Sequence, residues 1–166
     1  MKTEYLNLYN QNGNLLEGKG IRGEKNDNLF GVVIIFIENS KEEFLIQKTA
    51  PSRGSIYATT GGHVDYGSDF YDTVLNEVKE ELGLDISNED VKEITSYVFP
   101  PYYLKTYYLK KDIDIKDIII KDDELEYVKW LSTKEIDDLI SNNQFREGNI
   151  KGYNVIKNLK ISKKGL

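Results

Sequence analysis

The order of hydrophobic and polar positions predicts several short strands around one long buried strand. Leu29–Glu38 is apolar and β-branched over most of its length, which is typical of a strand covered on both faces. Similar segments predict further strands at Glu4–Leu16, Glu43–Lys48, Val91–Phe99, Leu104–Leu109 and Glu126–Leu131. The first should fold back on itself at Asn12-Gly13, a pair suited to a type I′ hairpin turn. Polar segments at Gly18–Asn28 and Thr49–Ser55 predict loops.

Between Asp69 and Leu82 the hydrophobic residues recur every four positions, and this period predicts an amphipathic helix. The repeating positions are Phe70, Val74, Val78 and Leu82, with Tyr71 and Leu75 beside them. Ser68 or Asp69 is suited to cap the first turn, and Gly83 is suited to end the helix in the left-handed conformation. Two more helices are expected at Thr133–Asn142 and Asn149–Leu159. Strands interleaved with helices predict a mixed α/β sandwich, in a single domain spanning residues 1–166.

Composition excludes several kinds of site. The chain has no Cys, so disulfides, thiol catalysis and cysteine metal sites are ruled out, and His63 is the only histidine. The net charge of −6 argues against a protein that coats nucleic acid, although a few local cations can still bind a small phosphate. No segment has the roughly 18 apolar residues that a membrane span needs. A cytoplasmic protein with no membrane association is therefore expected, from the absence of targeting signals.

The polar face of the first predicted helix carries three acidic residues. Glu77, Glu80 and Glu81 are spaced i, i+3, i+4, which places their carboxylates on one side, and no Lys or Arg lies three or four residues from any of them. A hard divalent cation with oxygen ligands would turn this repulsion into binding. A Gly61-Gly62 turn before the helix could add a backbone carbonyl. Spacing alone leaves open that these are ordinary surface glutamates.

The segment Gly62–Leu84 resembles the Nudix box, G-x5-E-x7-R-E-U-x-E-E-x-G-U with U aliphatic. The fixed positions that agree are Gly62, Glu77, Val78, Glu80, Glu81, Gly83 and Leu84. Flanking segments in the usual Nudix order extend the likeness, namely Leu45–Lys48, Thr60–Val64 and Val128–Ser132. The resemblance implies an α/β/α sandwich with a mixed central β-sheet. It also implies hydrolysis of a diphosphate linkage in a nucleoside diphosphate joined to another moiety.

The same resemblance implies roles for the acidic residues. Glu77 and Glu81 would be the main ligands of Mg²⁺, or of Mn²⁺, with Glu80 and the Gly61 carbonyl completing the site. The general base would be Glu77, Glu80 or the loop residue Glu124. Glu124 lies where many relatives carry a functional Glu, but it equally fits an ordinary charged loop residue.

Two positions of the box depart from the pattern. Ser68 stands where the family has the first Glu, and Asn76 stands where it has Arg. In the family these two charged residues are thought to form a supporting ion pair, which a polar Ser68–Asn76 contact could replace. The loss of both leaves an alternative open, in which the chain is a catalytically weak module that binds or senses a nucleotide.

Residues outside the box are candidates for contacting a small nucleoside diphosphate derivative. Lys48 and Arg53 border a loop expected to face the box and could bind phosphate, with Arg22 a weaker candidate. Tyr102 and Tyr103 could stack on a base. Each of these residues also fits an ordinary surface or strand-end position, and His63 fits structural support of the glycine turn. Whether the protein is a monomer or a homodimer is left open.

Overall fold

The fold is built on one long strand that pairs with neighbours on both edges. A computed structural model describes residues 2–121 and 123–162. Within these residues the strands are β1 (Tyr5–Tyr9), β2 (Leu15–Ile21), β3 (Leu29–Glu38), β4 (Phe44–Thr49), β5 (Tyr57–Ala58), β6 (Thr60–His63), β7 (Lys92–Phe99), β8 (Tyr102–Lys110) and β9 (Leu125–Leu131). The helices are α1 (Phe70–Leu82), α2 (Thr133–Ser141) and α3 (Glu147–Ile161), with short 3₁₀ helices at Pro51–Arg53 and Ile115–Asp117.

The sheet is mixed, as expected. β3 runs parallel to β8 along its length and antiparallel to β1 and β6. β7 extends the sheet beyond β8, while β4 pairs antiparallel with β5 and β9. The predicted strand Leu29–Glu38 is confirmed in full, because its apolar residues are covered on both faces of the sheet.

Alternate residues of β3 pack into two separate cores, which gives the molecule its layers. Val33, Ile35 and Ile37 belong to the core that contains the apolar face of α1. Ile34 and Phe36 belong to the opposite core, which contains buried residues of α2 and α3. The sheet is therefore sandwiched between helices, and the predicted α/β/α architecture is confirmed.

The N-terminal hairpin differs in detail from the prediction. The two strands pair as expected, but five residues connect them, and the Asn10 side chain accepts hydrogen bonds from the backbone N–H groups of Asn12 and Asn14. The prediction of a two-residue type I′ turn was therefore wrong. The loop predicted from Gly18 was also wrong in its first part, because β2 continues to Ile21. Gly20 lies against the Phe30 ring, so the absence of a side chain allows this close packing.

The segment before α1 is a strand rather than the expected glycine turn. In β6, Gly61 pairs with Ile34 and Gly62 pairs with Val33 of β3. Two glycines carry little strand propensity, so the local sequence gave no sign of this pairing.

The three predicted helices are confirmed with small shifts at their ends. α3 begins at Glu147, two residues before the predicted start, and α1 and α2 begin at Phe70 and Thr133. Tyr71, expected beside the apolar stripe, is instead 37% exposed. Within the described residues, no helix is long and apolar enough to cross a membrane.

Candidate active site

Helix α1 is fixed at both ends, which sets the positions of its acidic residues. The Asp69 carboxylate accepts a 2.7 Å hydrogen bond from the Asp72 backbone N–H and caps the first turn. Gly83 ends the helix in the left-handed conformation, with φ 68°. Between these ends the apolar stripe is buried against the sheet, so the neighbouring face of the helix lies along β6.

The Glu77 carboxylate lies directly against the backbone of Gly62. A Cβ atom added at Gly62 would stand only 2.5 and 2.6 Å from the two carboxylate oxygens. Any side chain at this position would displace the carboxylate. Gly62 is therefore needed because β6 and α1 approach each other closely here, and not because the chain turns.

Glu81 is more deeply buried than Glu77, and one of its oxygens is unsatisfied. Within the described residues, Oε2 of Glu81 is buried and has no hydrogen-bond partner. Burial and, to a smaller extent, the neighbouring Glu77 together raise the pKa of Glu81 to about 8, while the Gln47 side chain and the Gly61 backbone oppose this rise. An unpaired buried carboxylate oxygen is costly, so this position favours a cationic partner.

The pKa of Glu77 is raised as well, by burial and by acidic neighbours. Burial and, to a smaller extent, the negative charges of Glu80 and Asp65 together raise the pKa of Glu77 to about 8, against the lowering effect of the Arg22 charge. Both glutamates therefore resist ionisation when no cation is bound. Carboxylate oxygens in such a pair are the ligands that Mg²⁺ and Mn²⁺ prefer, so the donor set fits a hard divalent ion.

The third glutamate of the acidic face is placed differently. Glu80 is exposed to solvent, whereas Glu77 and Glu81 are partly buried beside Gly61 and Gly62. Among the described residues, no three His, Asp or Glu side chains are grouped closely enough to hold a metal ion by themselves. The structure therefore brings Glu77 and Glu81 to the glycines and leaves Glu80 at the rim.

A cleft of about 450 Å³ opens beside these residues. Glu81 and the two glycines of β6 contribute to its lining, and Arg53 and Glu124 contribute to it from loops that follow β4 and precede β9. Arg53 and Glu124 form an ion pair, with about half of each side chain exposed. The Ala50 backbone N–H donates a 2.8 Å hydrogen bond to the Glu124 carbonyl, which ties the two loops together.

A second cavity of about 740 Å³ adjoins the cleft and shares three lining residues with it, namely Arg22, His63 and Tyr102. The rings of His63 and Tyr102 meet edge to face, with centroids 5.5 Å apart. Burial and, to a smaller extent, the Arg22 charge lower the pKa of His63 to about 4, so the imidazole is neutral at pH 7. These features place Tyr102 at the junction of the two cavities, where a ring could contact a ligand in either.

The other two predicted substrate contacts lie away from the lining of both cavities. The Lys48 ammonium lies 4.6 Å from the centroid of the Tyr57 ring. The Tyr103 hydroxyl donates a 2.8 Å hydrogen bond to Ser96, and its ring packs over Gly13. Of the five predicted contacts, Arg53, Tyr102 and the weaker candidate Arg22 thus line the cleft.

The two departures from the box do not contact each other. Ser68 Oγ shares a 3.3 Å hydrogen bond with Thr73 Oγ1, and the Ser68 carbonyl accepts a 2.7 Å bond from the Asn7 side chain. Asn76 is exposed. The predicted Ser68–Asn76 contact was therefore wrong, because Thr73 and Asn7 already satisfy the polar groups of Ser68.

Sequence reasoning missed Arg146, which lines the cleft from the residue before α3. Burial lowers the pKa of Arg146; the Glu81 charge opposes this shift and the Arg53 charge adds to it. Arg146 is 65 residues from Glu81 along the chain, so no local spacing could connect the two. The one available sign was that arginine is rare in a lysine-rich chain.

Comparison with known proteins identifies the family and the fold of the chain. The family model described as the NUDIX domain matches residues 28–152. The solved structure of DR0079 from Deinococcus radiodurans superposes with a TM-score of 0.77 at 20% identity, covering 93% of this chain and 98% of that one. A MutT structure from work on Aliivibrio salmonicida and Vibrio cholerae gives 0.60 at 21% identity, covering 78% and 98%. An Ap4A hydrolase from C. elegans gives 0.59 at 17% identity, covering 81% and 99%. At these identities the structural matches establish a shared fold.

Proposed function

The chain belongs to the Nudix family and is a hydrolase of phosphoric anhydride bonds, and on this premise we propose that it is a divalent-metal-dependent nucleotide pyrophosphohydrolase. Its substrate would be a nucleoside diphosphate joined through the diphosphate to a second moiety. The observation that carries the proposal is the pair Glu77 and Glu81, two carboxylates with raised pKa values beside the glycines of β6.

Glu77 and Glu81 would hold Mg²⁺ or Mn²⁺, with the exposed Glu80 and the Gly61 carbonyl as further ligands. The unpaired Oε2 of Glu81 supports this assignment, because a cation would satisfy it. The chemistry that such an ion supplies is neutralisation of the diphosphate and activation of the attacking water. Gly62 keeps the Glu77 carboxylate in place by leaving room for it.

A carboxylate in the cleft would accept the proton of the attacking water. Glu124 is our first choice among the predicted bases, because it lines the cleft and approaches it from a loop outside the pair of ligands. Its carboxylate forms an ion pair with Arg53, another residue of the cleft lining. Glu77 and Glu80 remain alternatives.

The cleft offers contacts for both parts of the substrate. Arg53 lies where it could contact a phosphate, and Tyr102 offers a ring at the junction with the second cavity, where a base could stack. The second cavity provides space for the moiety beyond the diphosphate. Lys48 and Tyr103 would reach the substrate only after a change of conformation, since neither lines a cavity.

A nucleotide-binding module is the second candidate function. The observation that favours it is the replacement of the family's supporting ion pair by Ser68 and Asn76, which do not contact each other. The buried and unsatisfied Glu81 favours the enzyme, because an ion held there would serve catalysis as well as binding.

A screen that separates the cleavage products by chromatography distinguishes these two functions, because hydrolysis of a diphosphate linked at both ends gives two phosphate monoesters and no free phosphate. Purified protein would be incubated with Mg²⁺ or Mn²⁺ and a panel of nucleoside triphosphates, oxidised triphosphates, nucleotide sugars, ADP-ribose and dinucleoside polyphosphates. We expect cleavage of at least one diphosphate-linked compound, and its loss in EDTA. Nucleotide binding without cleavage of any compound would favour the binding module. Glu81→Gln purified in the same way controls for a contaminating phosphatase, because it should bring the same contaminant without the activity.

A further inference from the structure

The three arginines of the chain all line one cleft. The sequence contains 22 lysines and arginines, of which only Arg22, Arg53 and Arg146 are arginine. They come from the end of β2, the 3₁₀ helix after β4 and the start of α3, yet all three line the cleft beside Glu81. Within the described residues, no lysine lines it. Arginine differs from lysine in binding phosphate through two parallel N–H donors, so this distribution points to a phosphate ligand.

Two of the three arginines are already paired with carboxylates. Arg53 pairs with Glu124, and Arg22 lies 3.0 Å from Glu4. In the part of the chain that the structure describes, no carboxylate lies within ion-pair distance of the Arg146 guanidinium. Arg146 is thus the cleft arginine whose donors are available to a ligand.

The backbone that carries Arg146 is held firmly. Its N–H donates a 2.8 Å hydrogen bond to the Tyr57 carbonyl, and its own carbonyl accepts a 3.0 Å bond from Asn149. The buried Asn149 side chain in turn accepts a bond from the Thr59 N–H, two residues before Gly61. These bonds fix the start of α3 against the strands that carry the glycines. The base of the Arg146 side chain is therefore held at a constant place relative to the acidic pair.

The guanidinium of Arg146, and not the N-terminal end of α3, is the candidate phosphate contact. Glu147 in the first turn of α3 lines the same cleft, so the positive end of the helix already has an acidic neighbour. The Arg146 guanidinium lies in the field of both Glu81 and Arg53. A phosphate between the acidic pair, with its ion, and Arg146 would be contacted by cations on both sides.

We propose that Arg146 binds the diphosphate of the substrate on the side opposite Glu77 and Glu81, and so selects a diphosphate-bearing ligand. This assignment deepens the proposed hydrolase function and rests on it. The competing explanation is that Arg146 only neutralises the buried Glu81. In that case its removal would alter metal binding and stability, with no separate effect on a phosphate ligand.

A binding experiment with a ligand that cannot be hydrolysed tests this role. The probe is α,β-methylene-ADP, titrated by calorimetry in excess Mg²⁺ into the wild-type protein and into Arg146→Gln, Arg146→Lys and Lys151→Gln. Lys151 is the matched control, because it lies on the same helix and its ammonium sits over the Tyr97 ring, outside the lining of the cleft. We expect Arg146→Gln to bind roughly 10- to 100-fold more weakly, as for loss of a charge-assisted hydrogen bond. Arg146→Lys should be intermediate and Lys151→Gln unchanged.

Titration with Mn²⁺ alone distinguishes the competing explanation. We expect Arg146→Gln to bind Mn²⁺ at least as tightly as wild type, since a nearby positive charge has been removed. Equal affinity of Arg146→Gln and wild type for the probe would overturn the proposal, and so would a loss of probe binding matched by an equal loss of Mn²⁺ binding. No binding of the probe by wild type would overturn it as well. If Arg146→Gln does not fold, an Arg146→Lys protein with wild-type affinity overturns it.

The outcome is separable from that of the hydrolase proposal. Arginine-dependent probe binding by a protein that cleaves no compound would refute the hydrolase and leave the role of Arg146 intact. Turnover by wild type, together with unchanged probe affinity in Arg146→Gln, would support the hydrolase and refute the role of Arg146.

Discussion

Gly62→Ala is the substitution whose effect follows most directly from the structure. The new methyl group would lie 2.5 and 2.6 Å from the Glu77 carboxylate oxygens, where ordinary contact begins at about 3.4 Å. The carboxylate must therefore move by roughly 1 Å. Its place at the end of a flexible side chain makes this movement inexpensive for the fold, but a misplacement of that size in an active site can cost about 10²-fold in rate.

We expect kcat/KM for Gly62→Ala, measured with Mg²⁺ on the best substrate of the screen, to fall about 100-fold. The melting temperature without metal should stay within a few degrees of wild type. Gly61→Ala is the matched control. Its methyl group would stand 2.9 Å from Ile34 Cγ2 and closer still to the Val33 carbonyl, so a backbone clash should lower the melting temperature clearly.

Two results would refute this reasoning. Wild-type turnover by Gly62→Ala would mean that the position of the Glu77 carboxylate does not matter for catalysis. A melting temperature as low as that of Gly61→Ala would mean that the clash is not confined to a side-chain end.

Three further predictions concern pH, the base and the core. Glu77 and Glu81 have folded-state pKa values of about 8, above the ordinary 4.5. Because the folded protein holds these two protons more tightly, their contribution to the free energy of unfolding is complete below pH 4.5 and is lost as the pH rises through 8. Melting temperatures in EDTA should therefore fall between about pH 5 and about pH 9 and recover with Mg²⁺, and a fall unaffected by Mg²⁺ would contradict the metal site. Glu124→Gln should lower kcat about 10²-fold or more in steady-state assays. An unchanged kcat would mean that Glu124 is an ordinary charged loop residue and not the general base. Gly152→Ala would place a methyl group 3.0 Å from Thr106 Cγ2. Chemical denaturation should therefore show about 1–3 kcal/mol of destabilisation, with kcat unchanged. Wild-type stability in this variant would mean that α3 can move away from β8 to make room.

Local patterns were enough to predict the framework of the fold. The apolar run of β3 and the four-residue period of α1 are each decided by burial against neighbouring layers, which leaves a clear mark in the sequence. β6 has no recognisable strand pattern in its sequence, because Gly61 and Gly62 form a strand through pairing with β3 and not through their own propensity.

The candidate site was only partly predictable for a related reason. Glu77 and Glu81 share one helix face, so their spacing revealed them. Arg146 reaches the cleft because the start of α3 is bonded to Tyr57, a contact between distant parts of the chain. Lys48 was expected in the cleft from its position beside a loop, but its ammonium lies over the Tyr57 ring.

The central claim is that Glu77 and Glu81 hold the ion required for hydrolysis. Its most direct test is the Mg²⁺-dependent rate of substrate cleavage by Glu77→Gln and Glu81→Gln, alongside their circular dichroism spectra and Mn²⁺ affinities. We predict that both variants stay folded, bind Mn²⁺ more weakly and lose at least about 100-fold in rate, since each loses a charged ligand. Turnover retained at the wild-type rate in both folded variants would contradict the claim.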